Sequence, residues 1–125
     1  MKKFILTLFL IFFSLRVSAE WTLIGSSVTD DEYYIDLSTK KVNKGIIKIW
    51  VLESLKEQDS DGTFVSKRQM EFDCKNDLMK PVYSVFYSDK EMSKVIVSGP
   101  STIKDWRPVV PGSVLEEIKN IVCKK

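Results

Sequence analysis

The sequence predicts an α+β fold: a small antiparallel β-sheet of about five or six strands, with one C-terminal α-helix packed on it and stapled by a disulfide. Three observations carry this. Residues 64–74 alternate apolar and polar side chains with a period of two, the pattern of a half-buried strand. After Pro111-Gly112 the apolar positions recur at helical spacing behind an N-capping serine. The two cysteines of the 125-residue chain, Cys74 and Cys123, fall one on each of these segments.

The elements follow in order. Lys2 and Lys3 precede an apolar run over residues 4–13, and Val17-Ser18-Ala19 supplies small residues before Glu20. This order of charged, apolar and small segments reads as a cleaved secretory signal over residues 1–19. A membrane span needs ~20 apolar residues, and Arg16 closes the run early. No cysteine follows the cleavage position, so the released chain is expected to carry no stable membrane anchor. Residues 20–125 read as a single α+β domain without repeat or linker. Removing Lys2, Lys3 and Arg16 from 19 basic residues leaves 16 against 17 acids, so the formal charge moves from +2 to −1. A near-neutral chain with interspersed charge excludes nucleic acid as a partner, since that calls for a clustered basic face.

In the exported part, residues 21–24 and 33–37 are brief strands separated by turn residues Gly25-Ser26-Ser27 and Asp30-Asp31. Residues 46–55 form the most apolar run and read as a central strand partly covered on both faces. Residues 57–62 are polar and end in Asp61-Gly62, a hairpin-turn dipeptide. In the alternating strand Phe64, Met70, Phe72 and Cys74 face inward, while Lys67, Gln69, Glu71 and Asp73 face out. Residues 82–87 and 95–97 are two further strands, joined by loops at Lys75-Asn76-Asp77 and Ser88-Asp89-Lys90. Ser113 and Glu116 form a capping box, and Val114, Leu115, Ile118, Ile121 and Val122 make the apolar stripe of the helix. Glu116 and Glu117 at its start and Lys124-Lys125 after its end suit the helix dipole. Cys123 then lies on the last turn, above the sheet. In an oxidising compartment an even cysteine count favours a disulfide, here between Cys74 and Cys123.

No chemical signature emerges. The chain has no histidine, which removes serine–histidine and cysteine–histidine catalysis and most zinc sites. The cysteines are 49 positions apart, unlike a redox Cys-x-x-Cys pair. Residues 57–62 begin like a calcium loop, but Arg68 stands where the bidentate acid would be needed. Asp36, Glu53, Glu71 and Asp73 are available for acid–base chemistry, yet no spacing selects a pair. We therefore expect no enzyme, no cofactor and no metal. Trp50, Phe72 and Phe86 are expected to fill the core. Tyr83 and Tyr87, on the face away from the helix, and the basic pair Lys67 and Arg68 are the candidate binding residues.

The assembled chain resembles the bacterial surface-adhesin protein E family. The matching residues are Trp21, Tyr34-Ile35-Asp36, Trp50-Val51-Leu52, Ser66, Asp73-Cys74, Trp106-Arg107-Pro108-Val109, Pro111-Gly112-Ser113 and Cys123, in order over essentially residues 20–125. The resemblance implies an antiparallel sheet with a disulfide-fixed C-terminal helix, a homodimer, and binding to host extracellular-matrix and serum proteins at the cell surface. Lipid-anchored members carry an anchoring cysteine that this chain lacks. Their basic stretch near the first cysteine is here Lys67, Arg68, Lys75 and Lys80, interspersed with Glu71, Asp73 and Asp77. The leading expectation is an exported, non-enzymatic protein-binding module. The alternative is a periplasmic inhibitor of an exported enzyme, or a stress factor, without adhesion.

Overall fold

A computed structural model describes residues 20–124, so the expected signal at residues 1–19 lies outside the described residues. Seven strands form one antiparallel sheet: β1 (Thr22–Ser26), β2 (Glu32–Asn43), β3 (Ile46–Ser54), β4 (Val65–Asp73), β5 (Leu78–Tyr87), β6 (Val95–Pro100) and β7 (Arg107–Pro108). They lie in the order β1-β2-β3-β4-β5-β6, and β7 pairs with the start of β5. The helix α1 (Val114–Val122) closes the chain.

Consecutive hairpins explain this order, because each strand only has to turn back on the one before. The tightest joins β2 to β3 through Lys44 and Gly45, both at positive φ (51° and 80°), the geometry of a two-residue hairpin turn. Between β3 and β4, Asp59 organises the tip: its Oδ1 accepts from the backbone N–H of Asp61 at 3.0 Å and of Thr63 at 2.8 Å. The polar stretch that begins like a calcium loop is thus a turn whose acid is occupied by backbone amides.

Several strands run longer than their hydropathy suggests; β6, expected over residues 95–97, reaches Pro100. β2 continues through the polar Ser38-Thr39-Lys40 because a bulge between Asp36 and Lys41 lets side chains replace ladder bonds. There the Thr39 hydroxyl donates to the Asp36 carbonyl at 2.6 Å and accepts from the Trp50 N–H at 3.1 Å. The buried Asp36 carboxylate accepts from the Ser38 N–H and hydroxyl. β5 begins at Leu78 rather than Val82, although Pro81 lies within it. Pro81 sits at a bulge and in the gap between the pairings of β5 with β7 and with β6, where its missing N–H costs no ladder bond on that edge.

One sheet face carries the main core. Ile35, Ile47, Ile49, Val51, Met70 and Phe72 pack there under Ile118 and Val122 of α1, with Val109 beside them. A Cβ on Gly25 of β1 would come within 3.2 Å of Glu117 Oε2 and 3.8 Å of Val114, so glycine permits this close approach of helix to sheet. Ser113 caps α1 by accepting from the Glu116 N–H; the Glu116 carboxylate returns to the N–H of Gly112, one residue before the box position. Ile121, expected on the apolar stripe, is 39% exposed, whereas Ile118 and Val122 are fully buried. At the other end Cys74 and Cys123 form the expected disulfide, with Cα atoms 5.7 Å apart. Lys119 pairs with Asp77 in the adjoining β4–β5 turn.

A smaller cluster lies apart from the main core: Leu52, Val65 and Tyr87, with Trp21, Tyr34, Phe64, Val85 and Met92 against them. Phe64, placed by its parity with Met70 and Phe72, belongs to this second cluster instead. It precedes β4, and its backbone bonds to Leu55 and Tyr87 break the strand's alternation.

Candidate functional site

Cross-strand register sorts the candidate residues. Lys67, Gln69 and Glu71 of β4 lie opposite Leu52, Trp50 and Lys48 of β3 on one side and Val85, Tyr83 and Lys80 of β5 on the other. Side chains opposite one another share a face. Three rows therefore cross the face away from α1: Lys48–Glu71–Lys80, Trp50–Gln69–Tyr83 and Leu52–Lys67–Val85. Met70 and Phe72 alternate onto the helix side.

Aromatic rings and cations interleave on this outer face. Trp50 and Tyr83 meet edge to face, with centroids 6.2 Å apart and planes at 67°. The Lys80 ammonium lies 4.6 Å from the Trp106 ring centroid, and that of Lys67 lies 5.3 Å from the Tyr87 ring. Trp50 is half-buried on this face rather than in the main core, because its even parity in β3 opposes that of Ile47, Ile49 and Val51. Tyr87 is 6% exposed, so its ring serves as a seat for Lys67 more than as contact surface. Tyr83 remains half-open. Trp106, noted in the sequence only as part of the family segment, was not expected on this face, since nothing local links it to Lys80.

Arg68 does not join Lys67. Adjacent strand residues point to opposite faces, and Arg68 lies on the helix side, in the row Val51–Arg68–Ser84–Gly99. Its guanidinium sits 5.6 Å from the Phe86 ring centroid. Phe86, expected in the core, is half-buried here because α1 covers the β1–β4 side of this face and leaves β5 and β6 uncovered. The uncovered part is a groove of about 520 Å³. Its floor holds Met70, Met79 and Pro81, Leu115 of α1 stands at one side, and residues 97–103 form the other.

Electrostatics adds turn-holding acids and two perturbed phenols, of which Tyr34 is raised chiefly by its hydrogen bond to the Glu32 carboxylate. Asp31 lies below the usual carboxylate range, chiefly because it accepts from the Lys56 N–H and then the Thr29 hydroxyl. Asp73 is lowered by Asn76, and Asp89 by Ser93. Tyr33 is pushed well above the ordinary phenol value by burial, and further by its hydrogen bond with the Glu53 carboxylate. Among the described residues no group of three or more His, Cys, Asp or Glu is placed to hold a metal.

These shifts set a pH window. Depressed carboxylates stabilise the fold above their unfolded value and lose that contribution as pH falls through the folded one. A raised tyrosine stabilises below its unfolded value and loses this as pH rises through the folded one. The unfolding midpoint is expected to be flat from about pH 5 to 9, to fall below about pH 4, and to fall again above about pH 10. Tyr33→Phe should flatten the alkaline decline; an alkaline limb unchanged in that variant would remove Tyr33 as its cause.

A disulfide-stapled helix lies on one face of a meandering antiparallel sheet, with an aromatic and cationic face opposite it. The chain belongs to the surface-adhesin protein E family, whose profile matches residues 21–124. Haemophilus influenzae protein E in its crystal form II superposes with a TM-score of 0.61 at 15% identity, covering 86% of this chain and 90% of that one. Its selenomethionine form gives 0.61 at 14% identity, over 86% and 88%. Protein E from non-typeable Haemophilus influenzae gives 0.53 at 15%, over 87% and 78%. These solved structures share the fold. No curated protein matches in sequence.

Proposed function

We propose that this chain is an exported, non-enzymatic module that attaches to a protein ligand, of the host extracellular-matrix or serum class, through the sheet face opposite α1. The family match across residues 21–124 is the observation that carries the reading. The surface chemistry supports it. Aromatic residues supply much of the affinity of protein interfaces, and Trp50, Tyr83 and Trp106 are half-buried on rigid strands or held by a lysine. The lysines among them add steering and salt dependence.

The test is binding of the purified protein to a panel of immobilised matrix proteins and to whole serum. Tyr83→Ala is expected to weaken a saturable interaction by about 5- to 30-fold, the ~1–2 kcal/mol of an interface residue that contributes measurably to binding. Lys67→Glu should weaken it further at low salt than at high salt, while Arg68→Glu, on the other face, should leave it unchanged. Sensitivity to Arg68→Glu with indifference to Tyr83→Ala and Lys67→Glu would move the contact surface to the helix side. Protease accessibility on intact cells, against cells with a permeabilised outer membrane, tests display: cleavage on intact cells is expected, and protection until permeabilisation would favour a periplasmic role.

A further inference from the structure

We propose that the groove on the helix side of the sheet binds a free fatty acid, with its carboxylate on Arg68 and its acyl chain over Met70, Pro81 and Met79. The cavity, about 520 Å³, falls within the ~300–1,000 Å³ typical of small-molecule sites. Its charge is one-sided: Arg68 and Arg107 line it, and no acid does. The ion pairs among the described residues, Lys56–Asp30 and Lys119–Asp77, involve neither arginine. Glu53, one row along the same face, is the cross-strand partner of Tyr33 and makes no ion pair with Arg68 among the described residues. A half-buried guanidinium stacked on Phe86 and lacking a counter-charge favours an anionic head that it can hold through paired N–H donors.

The floor decides the rest of the ligand. Arg68 and the row Phe72–Met79–Arg107 stand four residues apart along β4, ~13 Å at the usual strand rise. Between them the Met70–Pro81 row offers only apolar surface, and methionines adapt readily to a flexible chain. β4 is paired on both edges. On β5 the outer edge opens only between the β7 and β6 pairings, where Pro81 has no N–H to offer and the Val82 carbonyl accepts from the Ser101 N–H. The floor itself therefore offers a peptide little backbone to pair with, and the free edge of the sheet is the outer side of β6, away from β5. The Ser101 hydroxyl is already occupied by the backbone of Ile103. A peptide laid there would leave its own N–H and C=O groups unpaired against methionine and proline, which is costly. An acyl chain has no such groups. At the far end the aliphatic stem of Arg107 can lie along it.

The measurement is displacement of cis-parinaric acid fluorescence from the purified protein by dodecanoate, with dodecyltrimethylammonium as the same tail carrying the opposite charge. Dodecanoate is expected to compete at least about tenfold better than the ammonium, the weight of one charge-assisted contact. Arg68→Gln should weaken dodecanoate by about tenfold or more, with Arg68→Lys in between. Ser84→Trp, which fills the groove from its floor, should abolish binding, and Lys67→Glu on the opposite face should not alter it. Circular dichroism establishes that each variant is folded. No competition by dodecanoate, equal competition by the two amphiphiles, or full affinity in folded Arg68→Gln or Ser84→Trp protein would each overturn the assignment.

Discussion

Replacing Cys74 with serine is expected to lower the unfolding midpoint by ~10–20 °C. The disulfide joins the turn after β4 to the end of α1, 49 residues away. Loss of a bridge closing a loop of this length costs ~2–4 kcal/mol, and each kcal/mol moves the midpoint of a domain this size by about 4–8 °C. The position amplifies the effect. α1 has nine residues, too few to persist alone in water, so it is held by Ile118 and Val122, by the Lys119–Asp77 pair and by this bond. Cys123→Ser should cost the same as Cys74→Ser, and the double variant no more than either, because all three break one bond. Reductant should lower the native protein's midpoint and leave the variants unmoved. A native midpoint indifferent to reductant, or an additive double variant, would contradict a structural role.

How much of this was readable in the sequence depends on whether a property is local. The period of two across β4 and the capped stripe of α1 are local, and so was the pairing of Cys74 with Cys123, because only two thiols exist and each lay on a recognisable element. The length of β2 was not readable, since its Thr39 hydroxyl stands in for a ladder group and looks like a loop residue until Trp50 is opposite it. β5 was shortened by Pro81, a strand breaker except at a bulge. β7 is two residues long and depends on β5 for its existence. Ile121 failed for a subtler reason: a helix on a twisted sheet buries a narrow stripe, and Ile118 with Val122 already fill it.

The candidate site repeats this lesson. Lys67 and Arg68 are neighbours in sequence and read together as a basic cluster, but strand geometry sends them to opposite faces. Tyr83 and Trp50 are 33 positions apart and nevertheless touch, as do Lys80 and Trp106. Register across β3, β4 and β5 creates both the aromatic face and the groove, and register is a property of the folded sheet. The two surfaces are accordingly separable by mutation, one tracking Lys67 and Tyr83, the other Arg68 and Ser84.

Phe72→Ala is expected to be the most destabilising single truncation among the aromatics of the sheet, at ~3–5 kcal/mol. Phe72 is completely buried, lies between Ile47 and Met79 in register, and is among the largest of the fully enclosed side chains. Its ring belongs to the cluster that Ile118 and Val122 close from above. Alanine would leave a cavity under α1 that strands held by ladder bonds on both edges cannot collapse to fill. Against a typical total of ~5–15 kcal/mol the loss is large enough to leave a visible unfolded fraction at growth temperature. Phe86→Ala is the control: its ring is half-buried over open groove, so removal creates little enclosed volume and should cost only ~1 kcal/mol. In urea the Phe72→Ala midpoint should fall with the slope unchanged, since the same surface unfolds. Equal losses for Phe72→Ala and Phe86→Ala would mean that α1 does not close over β3 and β4 as described, and the wall that Leu115 gives the groove would go with it.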